Sequence, residues 1–206
     1  MIKLLNVDCM EYMSKVPDKH FDLAIVDPPY GIGMDGVKNS RNNGKGRKGF
    51  DFKGWDGNIP DEKYFSELFR VSKNQVIWGA NYMTRFLPAS MGWIFWDKGQ
   101  RIAQSDGELA FTSFQRALRV AEYGRHELAV EGTIHPTQKP IKLYKWIYEN
   151  YCIKEYKVLD THLGSGSSAI AAHYFGCDFV GCEIDKDYFD AAQKRFKQLT
   201  AQTTIF

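Results

Sequence analysis

An α/β fold built on a mostly parallel sheet is what the sequence predicts, on three observations. Short apolar runs alternate with segments whose apolar residues recur at helical spacing. A Gly-rich turn joins one run directly to a helix, around Gly164 and Gly166. Acids stand at the ends of three runs, at Asp27, Asp160 and Glu183. At 206 residues the chain reads as one domain able to bury a sizeable core.

The elements follow in order. Strands are expected over 2–7, 21–26, 74–78, 92–97, 107–113, 156–160 and 178–182, about seven in all, with helices on both faces of the sheet. The 21–26 run, FDLAIV, is short, apolar and β-branched at its end. It must stop at Asp27, because Pro28 and Pro29 lack a backbone N–H and fix φ. Helices are expected over 10–16, 60–71, 80–86, 139–151, 167–175 and 186–199. The 60–71 helix starts with Pro60 and carries Asp61 and Glu62 in its first turn, which suits the helix dipole. The last helix places Phe189, Ala192, Phe196 and Leu199 on one face, a core-packing stripe.

Composition bounds the function. Apolar residues make up 44% and charged residues 25%, ordinary for a soluble globular protein. Aromatics at 15% leave rings to spare for stacking, and a net charge of +2 excludes a polycation. The charge is uneven, however. Between residues 38 and 53, Lys38, Arg41, Lys45, Arg47, Lys48 and Lys53 face a lone acid, Asp51, and the Gly/Asn-rich insertion over 36–56 that holds them is expected to be mobile. The cysteines at 9, 152, 177 and 182 form no CxxC pair and no zinc spacing, so reduced thiols and no metal are expected. Without an apolar span or a leader-like start, no membrane partner and a cytoplasmic location are expected.

Two constellations carry chemistry. In IVDPPYGIG (25–33) a carboxylate ends a strand and a stiff turn aims Tyr30. A Pro-Pro-Tyr turn can simply end a strand, with Asp27 capping nearby N–H groups. In YKVLDTHLGSGSSAIAAHYFGCDFVGCEIDK (156–186) a strand ends at Asp160, glycines open a helix, and the next strand ends at Glu183. The glycines permit close backbone approach, the helix N-terminus offers free N–H groups, and a strand-end acid can grip ribose hydroxyls. Gly164-Ser-Gly166-Ser-Ser-Ala169 also satisfies the dinucleotide pattern, so a nicotinamide (NAD) oxidoreductase stays open. A Walker-type loop is excluded because no Lys follows the glycines. Asp160 at the strand end favours a cationic amino group over a pyrophosphate, and hence S-adenosylmethionine.

Asp27-Pro28-Pro29-Tyr30, the Asp160-x-x-x-Gly-x-Gly unit and Glu183, in this order, resemble the DNA amino-methyltransferases of adenine N6 or cytosine N4, in their permuted β-type arrangement. Asn6-Val7-Asp8-Cys9 resembles the family's adenine-contacting strand end, and His135-Pro-Thr-Gln-Lys-Pro140 its segment near the methionine part of the cofactor. WGANY (78–82) and WIFWDK (93–98) resemble a compact, phage-like branch. The resemblance runs from about residue 4 to 195. It departs at Thr161-His162, where the family usually has Pro-Phe, leaving His162 as the flat group. It also departs in having no separate target-recognition domain.

The resemblance implies a single Rossmann-like methyltransferase domain with circularly permuted motif order. It implies S-adenosyl-L-methionine as methyl donor, held by Asp8, Cys9, Thr137, Gln138, Lys139, Asp160, His162, Gly164, Gly166, Ser167, Ser168, Glu183 and Ile184. Asp27, Pro28, Pro29 and Tyr30 would be catalytic. Asp27 and the Pro28 carbonyl would accept the two N–H bonds of an exocyclic amine, and Tyr30 would stack on a flipped-out base. Asp at the first motif position points to adenine rather than cytosine. Double-stranded DNA is the implied partner, gripped by Lys45, Arg47, Lys48, Arg116, Arg119 and Arg125, within DNA methylation of the restriction–modification type. A catalytically silent nucleic-acid-binding module is the rival from another class, and a homodimer is left open.

Overall fold

Alternation within the 21–26 run decides the architecture. Leu23 and Ile25 are buried on one side of the strand, Ala24 and Val26 on the other. A strand buried on both faces needs a helical layer on each. The computed structural model describes residues 1–36, 49–100, 105–124 and 126–201, and it supplies both layers.

The elements run β1 (Ile2–Asn6), α1 (Cys9–Met13), β2 (Phe21–Val26), α2 (Glu62–Val71), β3 (Ser72–Trp78), β4 (Trp93–Asp97), β5 (Gly107–Thr112) and β6 (Arg119–Glu122). They continue with α3 (His126–Glu131), α4 (Ile141–Tyr151), β7 (Lys157–Asp160), α5 (Ser167–Phe175), β8 (Asp178–Glu183) and α6 (Lys186–Thr200). One eight-stranded sheet has the order β1-β8-β7-β2-β3-β5-β4-β6. Seven strands point the same way and β5 runs against its neighbours β3 and β4. Helices α4 and α5 pack on the face bearing Leu23, Ile25 and Trp78; α1 and α2 cover the face bearing Ala24, Val26 and Ile77.

The α/β class is as expected, with differences in detail. The eighth strand, β6, escapes the sequence because only Ala121 of its four residues is buried, so it shows no apolar run. The expected helix 80–86 is a pair of 3₁₀ turns, Ala80–Tyr82 and Thr84–Phe86. In α6 the buried residues are Tyr188, Ala192 and Arg195, with Phe189, Phe196 and Leu199 at the margin. The helix is rotated by about one position because Arg195 finds internal partners, described below. Residues 37–48 of the expected mobile insertion lie outside the described residues. Its flank is anchored: Asp35 accepts bonds from the N–H groups of Lys53, Gly54 and Trp55, and Lys53 pairs with Asp185 and Asp187 at 2.7 Å. Among the described residues no helix is long and apolar enough to cross a membrane.

The chain leaves β2 through α2 toward β3, and leaves β7 through α5 toward β8. These neighbours therefore feed connections in opposite directions, and a crevice opens at the carboxyl ends of β2 and β7. Asp27 and Asp160 stand there. Gly79, just past β3 on the same edge, has φ +64°, and a Cβ built on it would lie 2.1 Å from the Tyr30 ring. Gly79→Ala therefore strains the backbone and displaces the ring together. We expect it to destabilise the protein by about 1–3 kcal/mol in urea unfolding; an unchanged midpoint would show that Tyr30 does not need that seat.

Candidate active site

Prolines 28 and 29 donate nothing, so the turn must be secured through the N–H groups that follow them. Buried Asp56 does this. Its carboxylate accepts from Tyr30 N (2.9 Å), Gly31 N (2.9 Å) and Met34 N (2.7 Å), and its carbonyl accepts from Gly33 N (3.2 Å). Sequence reading missed Asp56; it lies at the end of the basic insertion, with no motif around it.

The turn presents Asp27 to a cluster of charges. Lys139 Nζ donates to Asp27 Oδ2 at 2.6 Å and to the Tyr30 hydroxyl at 3.0 Å, and it lies 3.1 Å from Glu108 Oε2. The Tyr30 hydroxyl donates to Asp27 Oδ1 at 2.7 Å. Lys98 Nζ lies 2.7 Å from the other oxygen of Glu108. Antiparallel β5 is what permits this, since its first residues, Gly107 and Glu108, fall at the edge where the parallel strands end. Burial pushes the Asp27 carboxyl above its ordinary value, against the opposing pull of Lys139. Burial would raise Glu108 too, but Lys139 and Lys98 overcome it and hold that carboxyl at about 2. The Lys139 side chain is 2% exposed, whereas the Asp27 side chain keeps 17%, so Asp27 is the more accessible of the pair. The ring of Tyr30 stacks on Tyr82 with centroids 5.5 Å apart.

Across the crevice, Gly164 and Gly166 adopt positive φ (+51° and +74°) and open α5. Glu183 Oε2 accepts from Gly164 N at 2.8 Å and Oε1 from Asp185 N at 2.9 Å, leaving lone pairs on each oxygen. Asp160, expected to meet a cationic amino group, is buried and already engaged by His162 N (3.0 Å) and the Ser168 hydroxyl. Burial raises its carboxyl to about 7, above what those two bonds can offset. Ser167 is held from behind by Arg195, which also binds the Ser165 carbonyl and Glu131, each at 2.9–3.0 Å. Arg195 and Glu131 had no signal in the sequence beyond an odd charge in an apolar helical stripe.

A cavity of about 310 Å³ opens beside this loop. Of the expected cofactor residues it is lined by Asp8, Cys9, His162, Glu183 and Ile184, and Pro29 of the turn forms part of its wall. Asn58, Ile59, Asp61 and Tyr64, before and within α2, line it as well and were not anticipated. His162 donates or accepts at Thr161 Oγ1 (2.9 Å) and packs edge-on to Tyr64; burial holds it near 4, so it is a neutral flat ring at neutral pH. Asp8 caps α1 by accepting from Met10 N (2.6 Å), and burial with the nearby Asp8 charge drives the Cys9 thiol up to about 12. The lining joins apolar side chains to the carboxylates of Asp8, Asp61 and Glu183, an acceptor set that suits the hydroxyls and amine of a nucleoside.

Other expected residues fall elsewhere. Thr137 bonds His135 Nδ1 (3.1 Å) and Gln138 bonds Gly132 O (2.8 Å), so both order their own loop, while Lys139 faces Asp27. Arg116 is bound to Asn150 O at 2.6 Å and lies over Tyr151, so it braces α4 in place of the expected outward grip. Arg119 is exposed on edge strand β6. Lys45, Arg47, Lys48 and Arg125 lie outside the described residues. Among the described residues no cluster could hold a metal ion, and the cysteines are unpaired.

A mostly parallel sheet with a cavity at its switch point, adjoining a buried carboxylate in a Pro-Pro turn, is the arrangement expected of a nucleoside-dependent group-transfer protein. The DNA methylase family of N6 and N4 methyltransferases matches residues 75–194, and the chain belongs to it. The Type II methyltransferase M2.MboI of Moraxella bovis is 23% identical over 94% of this chain and 86% of its own length. The M1.HpyAVI complex with S-adenosylmethionine superposes with a TM-score of 0.65 at 20% identity, covering 95% of this chain and all of that one. PvuII DNA methyltransferase, cytosine-N4-specific, gives 0.62 at 12% identity, covering 97% and 90%. Membership makes the chain a DNA methyltransferase that uses S-adenosylmethionine and displaces the nicotinamide alternative; the family spans N6 and N4 methyltransferases.

Glu183→Ala removes an acid from the cavity wall and a cap from Gly164. Calorimetric titration with S-adenosylhomocysteine is expected to show affinity at least about tenfold weaker, roughly 1.4 kcal/mol. Equal affinity would remove Glu183 from the binding site.

Proposed function

We propose that this DNA methyltransferase acts on the N6 amine of an adenine flipped out of duplex DNA, with Asp27 and the Pro28 carbonyl as acceptors. The observation that carries the reading is the Asp27 carboxylate. It is held by donors, remains partly exposed, and is placed in a turn whose Pro29 lines the nucleoside cavity.

The exocyclic amine of adenine is a poor nucleophile because its lone pair is delocalised into the ring. Two acceptors, one on each N–H, favour a more tetrahedral nitrogen whose lone pair points away from the base. A charged acceptor makes the stronger bond. The bound donor supplies an electrophilic sulfonium methyl. As the N–C bond forms and the C–S bond breaks, positive charge develops on nitrogen, and a preorganised carboxylate stabilises it without reorganising. The excess proton passes toward Asp27, whose proton affinity is raised by burial and so suits a general base. Tyr30 and Tyr82 form a continuous aromatic stack at the crevice, and exposed Tyr82 extends the surface on which an extruded base can stack. DNA is held by this same domain through its basic insertion and Arg119.

Nucleosides from DNA incubated with the protein and labelled donor, resolved by mass spectrometry, should carry the label on N6-methyladenine; label on N4-methylcytosine would overturn the base assignment. Asp27→Ala should lower single-turnover transfer by more than tenfold, at least about 1.4 kcal/mol of barrier, with S-adenosylhomocysteine affinity within about twofold. Because the working form of Asp27 is ionised and its folded value is raised, wild-type transfer should fall with pH on an acid limb above the ordinary carboxylate range. A flat rate down to pH 5 at saturating cofactor would contradict that role.

A further inference from the structure

The Lys139 ammonium is almost entirely excluded from water and touches nothing of the cavity. It lies 2.6 Å from Asp27, 3.1 Å from Glu108 and 3.0 Å from the Tyr30 hydroxyl, with the rings of Trp78 and Tyr30 within 5.2 and 5.4 Å. A buried ammonium in such a place would be expelled or neutralised unless its charge were matched. It is matched twice over, by Asp27 and Glu108, and Lys98 at 2.7 Å then balances Glu108. The four groups sum to zero charge and come from four separate parts of the chain, with Asp27 following β2. Lys98 follows β4, Glu108 begins β5, and Lys139 precedes α4.

We propose that Lys139, backed by Glu108, is a positioning residue for methyl transfer: it fixes the Asp27 carboxylate toward the base amine and keeps it ionised. The proposal rests on the amino-transfer reading above. Lys139 occupies Oδ2 and Tyr30 occupies Oδ1, so rotation of the carboxylate is blocked and its remaining lone pairs are left for the base amine. Lys139 alone would stabilise the Asp27 anion so strongly that it became a weak base. Glu108 draws on the same ammonium and restores the basicity of Asp27. The two residues therefore pull the Asp27 proton affinity in opposite directions. The other titratable groups facing Asp27 are Tyr144 on α4, Tyr64 on α2 and Asp160 on β7. Burial drives the two phenols well above their ordinary values, so they stay neutral throughout the working range.

The test is the pH profile of single-turnover transfer at saturating donor and DNA, in Lys139→Met, Lys139→Arg and Glu108→Gln. Lys139→Met should move the acid limb up by a pH unit or more, with the lost rate recovered as the pH rises through the shifted limb. Glu108→Gln should move it down by a comparable amount, as expected for a unit charge a few ångströms away at an effective dielectric near 20. Lys139→Arg should keep the limb within about half a unit of wild type. The Asp160 carboxyl is set by burial, Ser168, His162, Asp27 and Glu183, and neither Lys139 nor Glu108 is among its causes, so the paired shifts report on Asp27. S-adenosylhomocysteine affinity should stay within about twofold in all three. Uniform rate loss with an unmoved limb, or shifts of the same sign, would overturn the proposal while leaving Asp27 as acceptor. Weakened S-adenosylhomocysteine binding in Lys139→Met would return Lys139 to the cofactor and overturn it as well. A wild-type rate unchanged by Asp27→Asn would instead overturn the amino-transfer reading itself.

Discussion

A carboxylate taken out of water is destabilised by several kcal/mol unless a counter-charge and hydrogen bonds accompany it, and the structure around Asp27 answers that demand. The strand that carries it is buried on both faces and adjoins β7 at the switch point of the sheet. There the acid cannot reach bulk solvent on all sides. Lys139 satisfies the charge, Tyr30 satisfies a second oxygen, and Glu108 with Lys98 carries the balance outward. The reversal of β5 follows the same logic, because a parallel strand at that place would put Glu108 at the far edge.

Among the described residues, the acids of the opposite wall, Asp160 and Glu183, have no ion-pair partner. Asp160 and Glu183 are satisfied chiefly by backbone N–H groups and a serine hydroxyl. Burial therefore raises both carboxyls, Asp160 as far as about 7. This leaves an acidic, hydrogen-bonding wall, suited to a ligand that brings hydroxyls and a positive charge of its own. The Asp27 side is charge-balanced by its ion pairs, whereas the Asp160–Glu183 side is held chiefly by backbone donors. Asp56 and the Lys53 pairs with Asp185 and Asp187 bind the two walls together, since the segment that secures the Pro-Pro turn is also tied to the start of α6.

Much of this was legible in the sequence. Seven strands stood out as apolar runs, and Asp27, Asp160 and Glu183 could be placed at one edge because each ends such a run. The glycines marked the turn between β7 and α5, where Gly164 and Gly166 do adopt positive φ. What escaped was set by tertiary pairing. Strand β6 has one buried side chain, and its pairing with β4 alone makes it a strand. Glu108 looked like the polar half of an alternating strand, and nothing local says that β5 runs backward. Lys139 sits in a segment that resembles a cofactor-contacting motif, but its side chain turns to the nearest buried acid. Arg116 appeared as a free cation and instead finds a helix carboxyl end. A charge in sequence carries no direction until the fold gives it a neighbour.

The central claim is that Lys139 belongs to the base side of the crevice, with Asp27, and not to the cofactor. A crystal structure of the protein with S-adenosylhomocysteine tests it most directly. The account predicts the ligand in the cavity between Asp8, His162 and Glu183, with Lys139 Nζ still within hydrogen-bonding distance of Asp27 and Glu108. A Lys139 ammonium swung away from Asp27 onto the carboxylate of the ligand would contradict it.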